Sequence, residues 1–116
     1  MKHLEDELQK NCVTWFRLQY PKHRQMLFAV PNGGNRNIRE AARLKAQGVT
    51  AGVADLILLV GNSMNNALCI EMKIGKGKQS ENQIEWEKSA VSHGNAYVVC
   101  RSFDEFKETI DLYLKN

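Results

Sequence analysis

Two carboxylates and one ammonium stand where such groups are expensive to place. Asp55 lies near the start of an otherwise wholly apolar run, Val53-Ala54-Asp55-Leu56-Ile57-Leu58-Leu59-Val60, and Glu71 and Lys73 lie near the end of the next such run, Ala67 to Ile74. Gathering them on one half-buried face costs desolvation energy unless they serve one another or a ligand. Hard divalent cations take oxygen ligands, commonly one or two carboxylates with waters and a substrate phosphate. Asp55, Glu71 and the main-chain carbonyl of Met72 would supply such a set for Mg²⁺, with Mn²⁺ as its substitute. The cation would polarise a scissile phosphate and acidify a bound water. Lys73 would orient that water and stabilise charge developing on the phosphorane. The plain alternative is a structural salt bridge between a carboxylate in one strand and an E-x-K in the next.

The elements around these residues determine whether they can meet. Leu4 to Gln19 carries Leu4, Leu8, Cys12, Trp15 and Phe16 at three- and four-residue spacing, an amphipathic helix that Pro21 ends. Met26 to Val30 reads as a strand, Pro31 to Asn37 as a turn-rich loop, and Ile38 to Gln47 as a helix stopped by Gly48. A flexible Gly48–Gly52 piece leads into the strand Val53 to Val60. Gly61 to Asn66 is a polar turn, so this strand and Ala67 to Ile74 form an antiparallel hairpin. Side chains alternate along a strand, which puts Glu71 and Lys73 on one face and turns Met72 away. The start of the first hairpin strand lies beside the end of the second, so Asp55 should approach Glu71; a one-residue slip of register would undo this. Ser80-Glu81-Asn82-Gln83 fits a capping box and opens a helix that ends near His93, before Gly94. Ala96 to Cys100 is a further strand, parallel to its predecessor because a helix crosses between them. Ser102-Phe103-Asp104-Glu105 is a second capping box, opening a last helix with Phe103, Phe106, Ile110, Tyr113 and Leu114 on its apolar face. The expected fold is α/β, in the order α-β-α-β-β-α-β-α, a mixed sheet flanked by helices.

Size and composition fit that picture. A chain of 116 residues and 13.2 kDa suggests one domain over 1–116. With 43% hydrophobic and 25% charged residues it has the make-up of a globular protein. No apolar run reaches the roughly 18 residues of a membrane span, and the polar, acidic start argues against a secretory leader. A cytoplasmic location is therefore expected. The net charge of +3 and pI near 8.8 permit nucleic-acid binding without demanding it. Cys12, Cys69 and Cys100 are odd in number, widely spaced and set in apolar segments, which reads as buried free thiols.

Five stretches occur in a telling order: Glu5-x-x-x-Gln9, Pro31-Asn32-Gly33-Gly34, Gly48-x-x-x-Gly52-Val53-Ala54-Asp55-Leu56, Glu71-Met72-Lys73 and Gln83-x-x-Trp86. Together they resemble the VRR-NUC branch of the PD-(D/E)XK nuclease superfamily, especially its short stand-alone phage and prophage members, and the likeness covers nearly the whole chain. The resemblance implies a PD-(D/E)XK restriction-endonuclease-like fold and a Mg²⁺-dependent DNA endonuclease that hydrolyses phosphodiester bonds. It assigns Asp55, Glu71 and Lys73 to the catalytic trio. It further implies a homodimer, similar to Holliday-junction resolvases, acting on branched DNA. Ala54 departs from the proline usual before the catalytic aspartate, a change that bears on backbone geometry rather than on the ligand set.

Supporting residues have two readings each. Glu5 best matches a first-helix glutamate that reaches the metal in the family, with Glu7 as its rival and Gln9 one turn on; acids there also favour the helix dipole. Gln83 matches a glutamine near the family's active site, yet its place in the capping box alone could account for it. Asn32 could bond near the phosphate or simply form a turn. Arg36, Arg39 and Arg43 recur at helical spacing with Lys45 nearby, a stripe suited to phosphate contacts or to plain solvation. Lys76 and Lys78, freed by Gly75 and Gly77, are the better DNA contacts. That glycine-lysine loop is not a nucleotide P-loop: Gln79 follows Gly77-Lys78 where Ser or Thr belongs, and Met72 stands five before Gly77 where Gly belongs, so no nucleotide cofactor is expected. His3, His23 and His93 are scattered, and Trp15 and Trp86 suit packing. Two other function classes stand beside the nuclease: a DNA-binding or scaffold module without catalysis, and the catalytic subunit of a larger phage DNA-processing assembly.

Overall fold

The structure, a computed structural model, describes residues 2–31 and 37–116. Its elements run α1 (Lys2–Gln19), a 3₁₀ turn (Pro21–Met26), β1 (Leu27–Ala29), α2 (Ile38–Ala46), β2 (Leu56–Leu58), β3 (Leu68–Met72), α3 (Glu81–Ser92), β4 (Ala96–Cys100) and α4 (Phe103–Lys115). The sheet order is β1-β2-β3-β4. β1 and β3 both run antiparallel to β2, and β4 runs parallel to β3, as a crossover through α3 requires. The expected mixed sheet with flanking helices is what forms.

Alternation sorts the strands onto two faces. Leu56, Leu58, Leu68, Ile70, Met72 and Cys100 point to one, where Cys12 and Phe16 of α1 and Phe106, Ile110 and Tyr113 of α4 close the main core. Ile57, Cys69 and Tyr97 point to the other, where Trp86 and Ala90 of α3 cover them. The C-terminal end of α4 is tied down: Tyr113 Oη donates to the Val60 carbonyl at 2.6 Å, and the Tyr20 hydroxyl donates to Asp111. All three cysteines are free and buried, and burial pushes the Cys12 thiol up to about 12.

The strands are shorter than their apolar runs. β2 spans three residues, not Val53 to Val60, and β3 stops at Met72, short of Ile74. The cause at one end is Asp55, whose carboxylate takes the Met72 N–H that a continuing ladder would use, at 2.8 Å. β1 loses Met26 to the 3₁₀ turn, though the outer pairing persists through Leu59 N to the Met26 carbonyl and Val30 N to the Asp55 carbonyl. Leu4 does not join the apolar face expected of α1; it is 58% exposed. The last helix has half of its expected capping box: Ser102 accepts from Glu105 N, but the Glu105 carboxylate accepts from Arg101 N, one residue further back. α2 begins on an Asn37 cap, ends before Gly48 at φ +105°, and buries none of its residues.

Candidate active site

Asp55 and Glu71 meet as the hairpin register predicts. Leu56 pairs with Ile70, so the next step outward sets Asp55 opposite Glu71. Asp55 Oδ2 is held by the Met72 N–H. That bond shows Met72 turning its amide toward β2, and in a strand the carbonyl of the same residue points the same way. The Met72 carbonyl is thus on the Asp55 side, as a shared ligand set needs.

Glu71 stands apart from the other described residues. It is the one charged residue buried among the described residues, 1% exposed in the central strand. Its Oε2 accepts from Gln83 Nε2 at 2.9 Å and faces Lys73 Nζ at 3.6 Å. Its Oε1 is buried with no hydrogen-bond partner among the described residues. Burial, then the negative charge of Asp55, push its pKa from the ordinary 4.5 up to about 8, against the pull of Lys73. A lysine at 3.6 Å therefore does not settle this carboxylate, which a purely structural salt bridge would do. A buried carboxylate oxygen with no donor, beside a second carboxylate and a strand-end carbonyl, is an environment that a divalent cation relieves. The residues present fit such an ion.

Gln83 reaches the site because of how α3 starts. Ser80 Oγ accepts from Gln83 N, and Gln83 Oε1 accepts from Ser80 N at 2.8 Å, which fixes the amide with its NH₂ aimed at Glu71. Gln83 therefore completes the capping box and hydrogen-bonds Glu71 with the same side chain. The approach to β2 passes directly beneath this first turn. A Cβ on Gly52 would stand 2.2 Å from the Asn82 carbonyl oxygen and 3.0 Å from Gln83 N, and Gly52 sits at φ +87°, so only glycine fits.

Other sequence candidates fall elsewhere. Glu5 and Gln9 stand half-buried on α1, the helix whose Cys12 and Phe16 pack on the opposite face of the sheet. Among the described residues no group of three or more His, Cys, Asp and Glu side chains that could hold a metal is found. Arg39 and Arg43 are exposed on α2. Asn32 and Arg36 lie outside the described residues. Lys76 and Lys78 are exposed beyond the end of β3, but the loop between them is more ordered than its glycines suggest. Gly77 N donates to the Ile74 carbonyl at 3.0 Å, and Arg101 Nη1 donates to the carbonyls of Gly75 at 3.0 Å and Gly77 at 2.8 Å. Arg101 left no signal in sequence, since its partners are main-chain atoms. A second unforeseen group flanks the site: Gln79 Nε2 donates to Glu87 Oε1 at 2.8 Å and to Tyr97 Oη at 3.1 Å. Glu87 follows Gln83 by one helical turn, and Tyr97 pairs in register with Cys69. The alternation of β3 therefore puts Tyr97 on the face of Glu71, a placement legible only once the parallel register is known.

The VRR-NUC domain model matches residues 1–104. No curated protein matches the chain. Among solved structures, a VRR_NUC domain protein superposes with a TM-score of 0.83 at 29% identity, covering 96% of this chain and 88% of its own. The match spans the hairpin, the E-x-K strand and the helix bearing Gln83 alike, and the chain belongs to the VRR-NUC domain family, with its nuclease-type fold.

Proposed function

We propose that this chain is a divalent-metal-dependent endonuclease that hydrolyses DNA phosphodiester bonds. The observation that carries the reading is Glu71: a buried carboxylate with one oxygen held by Gln83 and Lys73, the other without a donor among the described residues, and Asp55 opposite. Asp55, Glu71 and the Met72 carbonyl would hold Mg²⁺, or Mn²⁺ in its place. Bound there, the cation would supply a Lewis acid for the phosphate and an acidified water.

The chain's own residues do the rest. Glu71 gives up its proton before it can bind a cation. Gln83 fixes which carboxylate oxygen stays turned toward α3. Lys73 keeps an ammonium beside Glu71, where it can orient a water and balance charge building on the phosphate oxygens. Lys76 and Lys78, with Arg39 and Arg43, give exposed cations for backbone phosphates, contacts that set affinity without reading sequence. Preference for branched DNA, action as a homodimer and work in a reducing cytoplasm extend this reading from the family resemblance and the three buried thiols.

A cleavage panel tests it. Labelled single strands, duplex, splayed arms, flaps and four-way junctions are incubated with Mg²⁺, Mn²⁺ or EDTA, with Glu71→Gln as the blank. Metal-dependent cutting that the blank lacks is expected, strongest on branched substrates. Junction binding without cutting in any lane would instead mark a binding module.

A further inference from the structure

Lys73 lies one residue past the end of β3, where its pairing with β4 runs out. Three hydrogen bonds to the neighbouring chain segment hold Lys73 and the turn that follows it. Lys73 N donates to the Cys100 carbonyl at 3.0 Å. The two N–H bonds of Arg101 Nη1 then reach the carbonyls of Gly75 and Gly77, at 3.0 and 2.8 Å. The turn they grip closes on itself through Gly77 N and the Ile74 carbonyl, with Gly75 at φ +56°. Gly77 also faces the lysine: a Cβ built on it would lie 3.7 Å from Lys73 Cδ, so the turn stands about one methyl group away from the lysine stem. Arg101 is itself anchored, since its own amide donates to Glu105 Oε1 at 2.6 Å in the first turn of α4.

We infer that Arg101 is a positioning residue for Lys73, holding the Ile74–Gly77 turn that faces the lysine stem so that the ammonium stays beside Glu71. The inference rests on the nuclease reading above. The chemistry suits arginine: a guanidinium is always charged, and its rigid fork can serve two carbonyls of one turn. The same grip sets the spacing of Lys76 and Lys78 on either side of Gly77, but its sharpest consequence is for the lysine that touches Glu71.

The test is a double-mutant cycle on the best-cleaved substrate of the panel, using wild type, Arg101→Ala, Lys73→Met and the double variant. Methionine keeps most of the stem and removes the charge. Arg101→Ala should lower kcat about ten- to a hundredfold, with KM changed far less, because misplacing a catalytic group by about 1 Å costs on that scale. In the Lys73→Met background the same change should cost under about twofold, since coupled residues are not additive. Equal losses in both backgrounds, or a loss confined to KM, would overturn the inference. Hydrogen exchange gives a readout without activity: the Gly77 amide should lose protection in Arg101→Ala while the β3 amides keep theirs, and unchanged protection at Gly77 would equally overturn it. Should wild type show no cutting that Glu71→Gln abolishes, the nuclease reading fails alone, and the exchange result still decides whether Arg101 holds the turn.

Discussion

The two faces of the sheet solve opposite problems. Toward α1 and α4, the strand side chains of the main core are apolar and buried, and aromatic rings finish the packing, with Trp15 edge-on to Phe103 and Phe106 at 6.2 Å from each. Toward α3, the same central strand carries Glu71, buried to the same degree as its neighbours Ile70 and Met72 and left with an oxygen that no described residue satisfies. One strand thus contributes to stability through one set of alternate residues and stores a cost through the other. Local frustration of this kind is expected where a site is shaped for a ligand rather than for itself. Replacing Glu71 should therefore lose activity and gain stability, whereas truncating the apolar core should lose stability and keep activity per folded molecule.

Glu71→Gln should show the largest effect. Cleavage should fall about a thousandfold or more, on the scale of losing a principal electrostatic group of a site, and Asp55→Asn should match it. Stability should move the other way. Between pH 4.5 and about 8, folded Glu71 keeps a proton that the unfolded chain has released, so rising pH through that window weakens the folded state, and the loss is complete above about 8. The neutral amide of the Glu71→Gln variant has no proton to lose. The variant should therefore melt above wild type at pH 9, with a stability difference on the order of a few kcal/mol, and the two should converge near pH 5. A variant that is less stable than wild type at pH 9 would remove the contrast between the faces.

Phe106→Ala breaks the other side. The ring is fully buried, and its loss should cost about 3–5 kcal/mol, while cleavage per folded molecule stays near wild type at low temperature. Chemical denaturation paired with active-site titration separates the two quantities. Gly52→Ala lies between these extremes. A methyl group cannot fit 2.2 Å from the Asn82 carbonyl oxygen, so the first turn of α3 must shift and carry Gln83 from Glu71. Cleavage should drop about ten- to a hundredfold, at a strain of about 1–3 kcal/mol. Full activity in this variant would show that Gln83 does not act through the glutamate.

The closed face was legible in the sequence almost residue by residue, because its signal is periodicity. Cys12 and Phe16 four apart, and Phe106 and Ile110 four apart, announce helices with one apolar side, and the alternation around Ile70 announces the strand. The trio was legible for a different reason: charges inside apolar runs have few innocent explanations. What the sequence did not reveal depends on main-chain atoms or on register. Asp55 shortens its own strand by capturing an amide of the next one. Arg101 acts on carbonyls, which leave no trace in residue type. Tyr97 joins the site face only through the parallel pairing of β4 with β3. Leu4 misled because it keeps the helical spacing of Leu8 and Cys12 yet stays 58% exposed, outside the core that those two residues join.

The contrast between the faces has a last and finer consequence. If the α3 face is unfinished because it awaits a cation, the proton on Glu71 and the cation compete for one carboxylate. Mn²⁺ binding should then release a proton, and its affinity, read by calorimetry in buffers of different ionisation enthalpy, should weaken about tenfold for each unit below about pH 8. Above that value the dependence should flatten, since the carboxylate is already free. Asp55→Asn should weaken binding and also ease the deprotonation of Glu71, because the neighbouring negative charge is, after burial, the next force holding the proton on. The flattening should therefore move to lower pH in that variant. Mn²⁺ affinity without any pH dependence between about 6 and 8 would mean that the cation does not use Glu71, and that the cost stored on this face serves something else.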